Sequence, residues 1–362
     1  MKRIVICSDG TWNRPGISDK GKPVKSNVEI IFNCISPKDN AGVKQVKFYE
    51  TGVGSSSYDN IDKIFGGIEG FRLDAKLKDI YSFILLNYEQ GDELYLFGFS
   101  RGAYTARSVA GFIRNCGILK SENIHLVDMA YDLYRNRNDY TIPDSDFMKA
   151  FREKYCVDNI TPIKFIGVWD TVGSLGLPFK IAKKHSAEKY KFHDVKLSSY
   201  IQNAYHAMAI DEHRVLFEPT LWEISQNGID KNQKVEQRWF AGVHCNIGGG
   251  YEDTGLSDLA LEWLIKKAKN IGLEITSPEE NNNKYYTFKP NYKGILRNSL
   301  TFIYWFWFPK RRELSLNNRI KITEDGSKKE VITNETIDES AFMRFKEDDL
   351  RYKPSNLKPF VK

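Results

Sequence analysis

Three residues stand out for the chemistry their types and settings allow. Ser100 is the middle residue of Gly98-Phe99-Ser100-Arg101-Gly102. Glycines two residues to either side let a strand and a helix approach closely around a sharp turn, leaving the hydroxyl at its apex. Such a hydroxyl is a nucleophile for acyl transfer once a base removes its proton. Asp170 ends the apolar run that begins at Pro162, and His244 follows the strand-like stretch Glu236 to Ala241. A carboxylate to orient an imidazole and an imidazole to take the serine proton complete that chemistry. Each has a plainer reading as well. Ser100 fits a tight structural turn, and Asp170 fits a cap for the turn before Gly173. Of the six histidines, His125, His185 and His193 lie in polar stretches, while His206 and His213 fall on or beside a helix-like segment.

The elements that must position these residues read as alternating strands and helices. Residues 2–8 form a buried strand that runs into Asp9-Gly10-Thr11-Trp12-Asn13. A serine hydrolase takes one oxyanion-hole N–H from the residue after its nucleophile, here Arg101, and the other from a strand-to-helix loop. Thr11, or its neighbour Gly10, is the candidate for that second donor; Asp9 capping its own loop is the competing reading. A capped helix is expected at 26–35, a strand at 46–49 and a helix at 69–88, its apolar residues at helical spacing. Strand 94–99 then leads into the serine turn and a helix at about 101–115. Gly52 to Ser57 lacks the third glycine of a dinucleotide loop and the Gly-Lys-Ser/Thr of a phosphate loop, so it reads as plain loop.

Two or three helices broken at Pro143 are expected over 121–155, as a cap over the site or as ordinary packing. Residues 179–197 are lysine-rich and read as solvated, with a membrane-facing role as the alternative. A helix is expected over 198–213, ending in Asp211-Glu212-His213-Arg214 as a terminal salt-bridge cluster or a charge network. Gly248 to Gly250 let backbone pass close to the site, or cradle an anion. An amphipathic helix is expected over 256–269, with Asp258 in its first turn. Leu300 to Arg312 sets Phe302, Tyr304, Trp305, Phe306, Trp307 and Phe308 beside Lys310-Arg311-Arg312. That stretch suits buried core, an acyl-chain pocket or a headgroup layer. The polar tail beyond 313 contains a hairpin-like stretch at 321–332.

With 362 residues, 41% hydrophobic and 28% charged, the chain is long enough for one large α/β domain or two ordinary ones and has the composition of a globular protein. Five scattered cysteines without a CxxC pair argue against a disulfide scaffold or a zinc site. No apolar run approaches the roughly 20 residues that span a bilayer, and the first strand is too short for a signal peptide. A net charge of +6 permits contact with anionic surfaces without establishing it.

Ser100, Asp170 and His244 occur in the order nucleophile, acid, base, each at a strand end. That order belongs to α/β-hydrolases and not to chymotrypsin-like or subtilisin-like enzymes. Asp9 to Asn13, Gly98 to Arg107, Val168 to Gly173, Ala209 to Arg214 and Gly242 to Tyr251 also resemble the motif blocks of one known family. It is a large α/β-hydrolase family that includes the phospholipases of the type VI lipase effector class, which bacteria inject into rivals. The resemblance runs from about residue 2 to 270, with a weaker echo at Thr336 to Ser340 and Tyr352 to Leu357. Where many members carry Asp after the His-Ser pair of the base block, this chain has Cys245-Asn246. It also lacks the long membrane-binding regions of the larger effectors.

The resemblance implies a single α/β-hydrolase domain over 1–362, with a mostly parallel sheet and flanking helices. Cap insertions are expected at about 120–158 and 179–232, and a C-terminal extension at about 285–362. It implies a serine esterase, most specifically a phospholipase, with Ser100, Asp170 and His244 catalytic, Thr11 and Arg101 in the oxyanion hole, and neither metal nor organic cofactor. The implied partners are a lipid ester at a membrane surface and a secretion-system or immunity protein; nucleic acid is not expected. The protein is expected to be cytoplasmic as synthesised, then exported without a signal peptide or peripheral at membranes. The alternatives are a soluble-ester or acyl-conjugate hydrolase and a non-catalytic module that binds a membrane or partner.

Overall fold

The most continuous apolar runs of the chain become parallel strands. Ile4-Val5-Ile6-Cys7 lies in β1 (Arg3–Ser8), buried throughout, as a strand covered by helices on both faces must be. The sheet is completed by β2 (Gln45–Glu50), β3 (Glu93–Phe99), β4 (Phe165–Trp169), β5 (Asn203–Ala209), β6 (Lys234–Phe240) and β7 (Glu335–Ile337). The computed structural model describes residues 1–10, 13, 15–52, 68–136, 138–173, 196–279, 287–300, 309–322 and 326–361. The strand order is β7-β6-β5-β4-β3-β1-β2, with every neighbouring pair parallel. This is an α/β-hydrolase-like sheet.

Side-chain alternation along the strands feeds two helical layers. Ile4, Ile6, Leu94, Leu96, Ile166 and Val168 face one core. It is closed by α2 (Ile68–Asn87), α3 (Arg101–Cys116), α4 (Val127–Arg135) and α5 (Asp146–Tyr155), through residues such as Ile80, Phe112, Tyr131 and Met148. Val5, Cys7, Tyr95, Phe97 and Trp169 face the other core. There α1 (Asn27–Cys34), whose N-terminus is capped by the Ser26 hydroxyl, packs beside the short α6 (His244–Gly248) and α7 (Gly255–Lys269).

The chain leaves β1 outward to β2 and then returns to β3 on the other side of β1. The loops after β1 and β3 therefore diverge, and a crevice opens at the carboxyl ends of the strands where parallel sheets place their sites. Asp9-Gly10 and Ser100 flank it. Further along the same edge, Phe99 pairs with Trp169, Trp169 with Ala207, and Ala209 with Phe240. The residues that follow these strands accordingly share one rim.

Two expectations need correction. Residues 198–213 contain β5 rather than a helix. All seven residues of β5, Asn-Ala-Tyr-His-Ala-Met-Ala, are buried. A central parallel strand has no polar face and so loses the period-two pattern, while its alanines favour a helical reading. His206 therefore sits inside the sheet. The second correction concerns the polar tail. Its hairpin, Asn318–Ile322 with Lys328–Ile332, forms as expected. The polarity hid β7, which joins the main sheet beside β6, and α8 (Glu339–Lys346), capped by Asp338. Ala341, Tyr352 and Leu357 bury themselves against Met208, Ile210 and Trp239. The loop from 53 to 57, the lysine-rich stretch up to 195 and the aromatic residues 301–308 lie outside the described residues.

Candidate active site

Ser100 occupies backbone that an L-residue rarely adopts, with φ 56° and ψ −122°. The turn closes only because its neighbours lack side chains. A Cβ on Gly98 would lie 2.6 Å from the Gly102 carbonyl oxygen, and one on Gly102 would lie 2.1 Å from that of Ser8. The Ser100 N–H donates to the Trp169 carbonyl at 3.0 Å, which pins the turn to β4. The hydroxyl makes no capping bond to α3, although Ser100 is its N-cap residue. Arg101 is the first residue of α3, where helix N–H groups point back past the N-terminus toward the serine.

The loop after β1 abuts Ser100: a Cβ on Gly10 would lie 3.1 Å from that of Ser100. Gly10 itself is committed, because its N–H donates to Asp9 Oδ1 at 2.7 Å. Asp9 thus caps its own loop, and Thr11 lies outside the described residues. The Asp9 carboxylate also accepts from the Tyr49 hydroxyl at 2.6 Å and from the Ser26 hydroxyl. Burial pushes its carboxyl up to about 6, with these hydrogen bonds opposing the rise.

Asp170 and His244 meet. The carboxylate Oδ2 and imidazole Nδ1 are 2.6 Å apart, with both side chains almost fully buried. Asp170 has φ 39°, and its N–H donates to Ala207 at 2.7 Å. Its Oδ1 accepts from the Ala209 N–H at 3.0 Å. The guanidinium of Arg312 then forks onto both oxygens, Nη1 to Oδ1 at 2.5 Å and Nη2 to Oδ2 at 2.9 Å. Burial alone would raise this carboxyl, but the charge of Arg312 and the bond from His244 outweigh it and hold it well below the usual range.

His244 opens α6 between two rings, Phe99 at 4.6 Å and Phe217 at 4.8 Å between centroids. Burial lowers its pKa below the ordinary 6.5, and the bond and charge of Asp170 offset this only in part. This environment favours the neutral imidazole. With Nδ1 directed at Asp170, Nε2 is left for a second partner.

The pair Asp211 and Glu212 is not a helix-end surface cluster, since both carboxylates are buried beyond β5. Asp211 Oδ2 accepts from the Gly242 N–H at 2.7 Å and the Tyr352 hydroxyl at 2.8 Å. Glu212 accepts from the His244 N–H at 3.2 Å, the Ser299 hydroxyl at 2.9 Å, and Arg214, whose Nε and Nη2 both reach it at 2.9 Å. Together they hold the turn that presents His244. His206 braces the Asp170 turn from behind, its Nε2 accepting the Thr171 N–H at 3.0 Å. Among the described residues, no helix is long and apolar enough to cross a membrane.

Residues 2–267, most of the chain and everything carrying these loops, match the family described as T6SS, phospholipase effector Tle1-like, catalytic domain. The chain belongs to that family. A curated relative, an uncharacterized protein of Saccharomyces cerevisiae, is 27% identical over 236 residues, covering 60% of this chain and 32% of its own length. The crystal structure of an uncharacterized protein from Pseudomonas aeruginosa has a TM-score of 0.47 at 18% identity, covering 81% of this chain and 49% of that one. The Tle1 effector bound to the VgrG spike of the type 6 secretion system has a TM-score of 0.37 at 20% identity, covering 70% of this chain and 52% of that one. The chain thus spans about a third of the yeast relative and about half of each of these structures.

In this Tle1-like catalytic domain, sequence reasoning missed Arg312. It lies beyond the matched residues and reads locally as one third of a basic triplet. Asp211 and Glu212 stood out in the sequence, but in the wrong setting. The one usable signal was their adjacency just after the apolar segment that forms β5.

Proposed function

We propose that this Tle1-like domain is a serine hydrolase of carboxylic esters, acting on lipid esters and most specifically on glycerophospholipids. Ser100 Oγ attacks the acyl carbonyl as His244 Nε2 takes its proton, and Asp170 holds the imidazole in the required tautomer. The tetrahedral oxyanion is met by the Arg101 N–H and, in this reading, that of Thr11. Each donor lowers the barrier by about 3 kcal/mol, by analogy with measured oxyanion holes. Collapse expels the alcohol, a lysophospholipid, which leaves with the proton from His244. Water, deprotonated by the same imidazole, then attacks the acyl-enzyme and releases the fatty acid. Residues 1–362 act as one unit in this scheme.

The observation that carries the reading is the 2.6 Å Asp170–His244 bond on the rim beside a strained serine whose hydroxyl caps nothing. Family membership supports the lipid substrate. A secretion-system spike or an immunity protein is the proposed partner, on the strength of the Tle1–VgrG complex alone. The test is fatty-acid release from mixed phospholipid vesicles, followed by mass spectrometry for wild type and Ser100→Ala. Wild type should release fatty acid and lysolipid, and the variant should be slower by about 10⁴-fold or more. Cleavage of soluble esters alone would move the substrate class. No cleavage of either kind would leave a binding module.

A further inference from the structure

We infer that Arg312, supplied by the chain beyond the family's matched span, is a positioning residue for the Asp170–His244 pair. The C-terminal segment is thereby part of the catalytic unit. The inference rests on the proposed role of that pair.

Arg312 lies on no strand or helix, yet its side chain is only 4% exposed. Besides its fork onto Asp170, its Nη1 donates to the Ala209 carbonyl at 2.8 Å and its Nη2 to that of Phe217 at 2.5 Å. The guanidinium is therefore fixed by the chain leaving β5 as well as by the acid. Its own carbonyl accepts from Asn356 Nδ2 at 3.1 Å, and the same amide donates to Ile210 at 3.1 Å. The C-terminal segment thus ties Arg312 to the strand end beside the site.

A planar fork fixes a carboxylate's plane in a way an ammonium cannot. With Ala209 and Nη1 on Oδ1, and Nη2 on Oδ2, the remaining face of Oδ2 points at His244 Nδ1. The positive charge also offsets Asp170, so that the buried anion does not hold a proton on the imidazole. Buried ion pairs are weak sources of stability because desolvation opposes them. Positioning therefore explains this one better than stability does. Among the described residues, the other charged or titratable groups near the pair are Glu212 and Arg214 beyond β5, Asp211 beside them, Cys245 next to His244, His206 on β5 and Arg107 on α3. The charge of Arg312 also reaches Glu212, Asp211 and His206, so the midpoint shift in Arg312→Met includes their response, whereas Arg312→Lys keeps that charge in place.

Two readouts on the full chain separate this inference from the proposed reaction. The first is the His244 imidazole titration followed by NMR, which needs no substrate. The second is the rate at which an alkyl fluorophosphonate labels Ser100. Arg312→Met should move the His244 midpoint up by about one pH unit and slow labelling by about 10²-fold. Arg312→Lys keeps the charge but not the fork; its midpoint should stay near wild type while labelling slows about tenfold. A folded Arg312→Met with an unmoved midpoint would overturn the inference. If that variant does not fold, wild-type labelling by Arg312→Lys overturns it instead. Should wild-type Ser100 resist labelling altogether, the hydrolase reading fails, and the titration still decides the role of Arg312.

Discussion

The proposed nucleophile and the proposed acid–base pair share one rim of the sheet but are built by opposite means. The shape of the turn at Ser100 is set within two places of it in sequence, by the absence of side chains at 98 and 102 and the helix that begins at 101, and one backbone bond to Trp169 pins it to β4. Asp170 and His244 are positioned by groups far away in sequence: Arg312 on the acid, Glu212 on the histidine's N–H, and Tyr352 on Asp211. The first corner is steric and local. The second is electrostatic and assembled from the whole chain. Substitutions at the first should therefore act all-or-none, and substitutions at the second by degrees.

The largest effect is expected from Gly102→Ala. Its Cβ would fall 2.1 Å from the Ser8 carbonyl oxygen and 2.4 Å from that of Asp9, backbone atoms of β1 and its loop that have nowhere to move. The strand–helix packing must open, at a cost of about 3 kcal/mol or more by analogy with severe overpacking. Thermal unfolding and Ser100 labelling should both collapse. A variant that melts like wild type and still labels would mean that the corner is not sterically closed.

This contrast also explains what could be read from the sequence. β1, β3, α3, the hairpin and the Ser100 turn are announced by local pattern, so inspection finds them. The mostly parallel sheet and the positions of Asp170 and His244 at strand ends follow from the alternation of elements, whereas the strand order does not. β5 escaped because burial on both faces removes the polar alternation that marks a strand. Arg312 escaped because nothing local distinguishes an arginine bound to a buried carboxylate from one in water. Gly10 was offered as an oxyanion donor, but its N–H is taken by Asp9. A hydrogen bond one residue long was as open to inspection as any, yet the same dipeptide serves both readings.

A middle-sized effect lies in the two adjacent carboxylates of the second corner, which should titrate in opposite senses. Burial would raise Glu212, but the hydrogen bonds and charge of Arg214, with the charge of Arg312, pull it down from 4.5 to about 2. Its contribution to stability is complete above pH 4.5 and is lost as pH falls toward 2. Burial raises Asp211 from 3.8 to about 6, with Gly242 and Tyr352 opposing. Its favourable contribution is complete below pH 3.8 and is lost as pH rises through 6. Urea unfolding across pH should therefore flatten below pH 4.5 in Glu212→Gln and between pH 4 and 6 in Asp211→Asn. Matching profiles for the two variants would show that their environments do not differ in the stated way.

The smallest effect, and the finest test of the contrast, is Tyr352→Phe. The ring stays, with its contacts to Met208, Ile210 and Trp239, and only the hydroxyl that donates to Asp211 Oδ2 is lost. Asp211 keeps the Gly242 N–H, so the turn carrying His244 loosens without breaking. A buried carboxylate deprived of one of its donors costs about 1–3 kcal/mol. That should appear as a lower urea midpoint at unchanged slope. The Ser100 corner does not touch Tyr352, so Ser100 labelling should slow only to the extent that His244 is displaced, by about threefold to tenfold. Complete loss of labelling in a folded Tyr352→Phe protein would contradict the graded behaviour expected of this corner. Wild-type stability would mean that the hydroxyl bond to Asp211 contributes nothing. Only this second result would separate the C-terminal segment from the site, which the Arg312 contacts argue against.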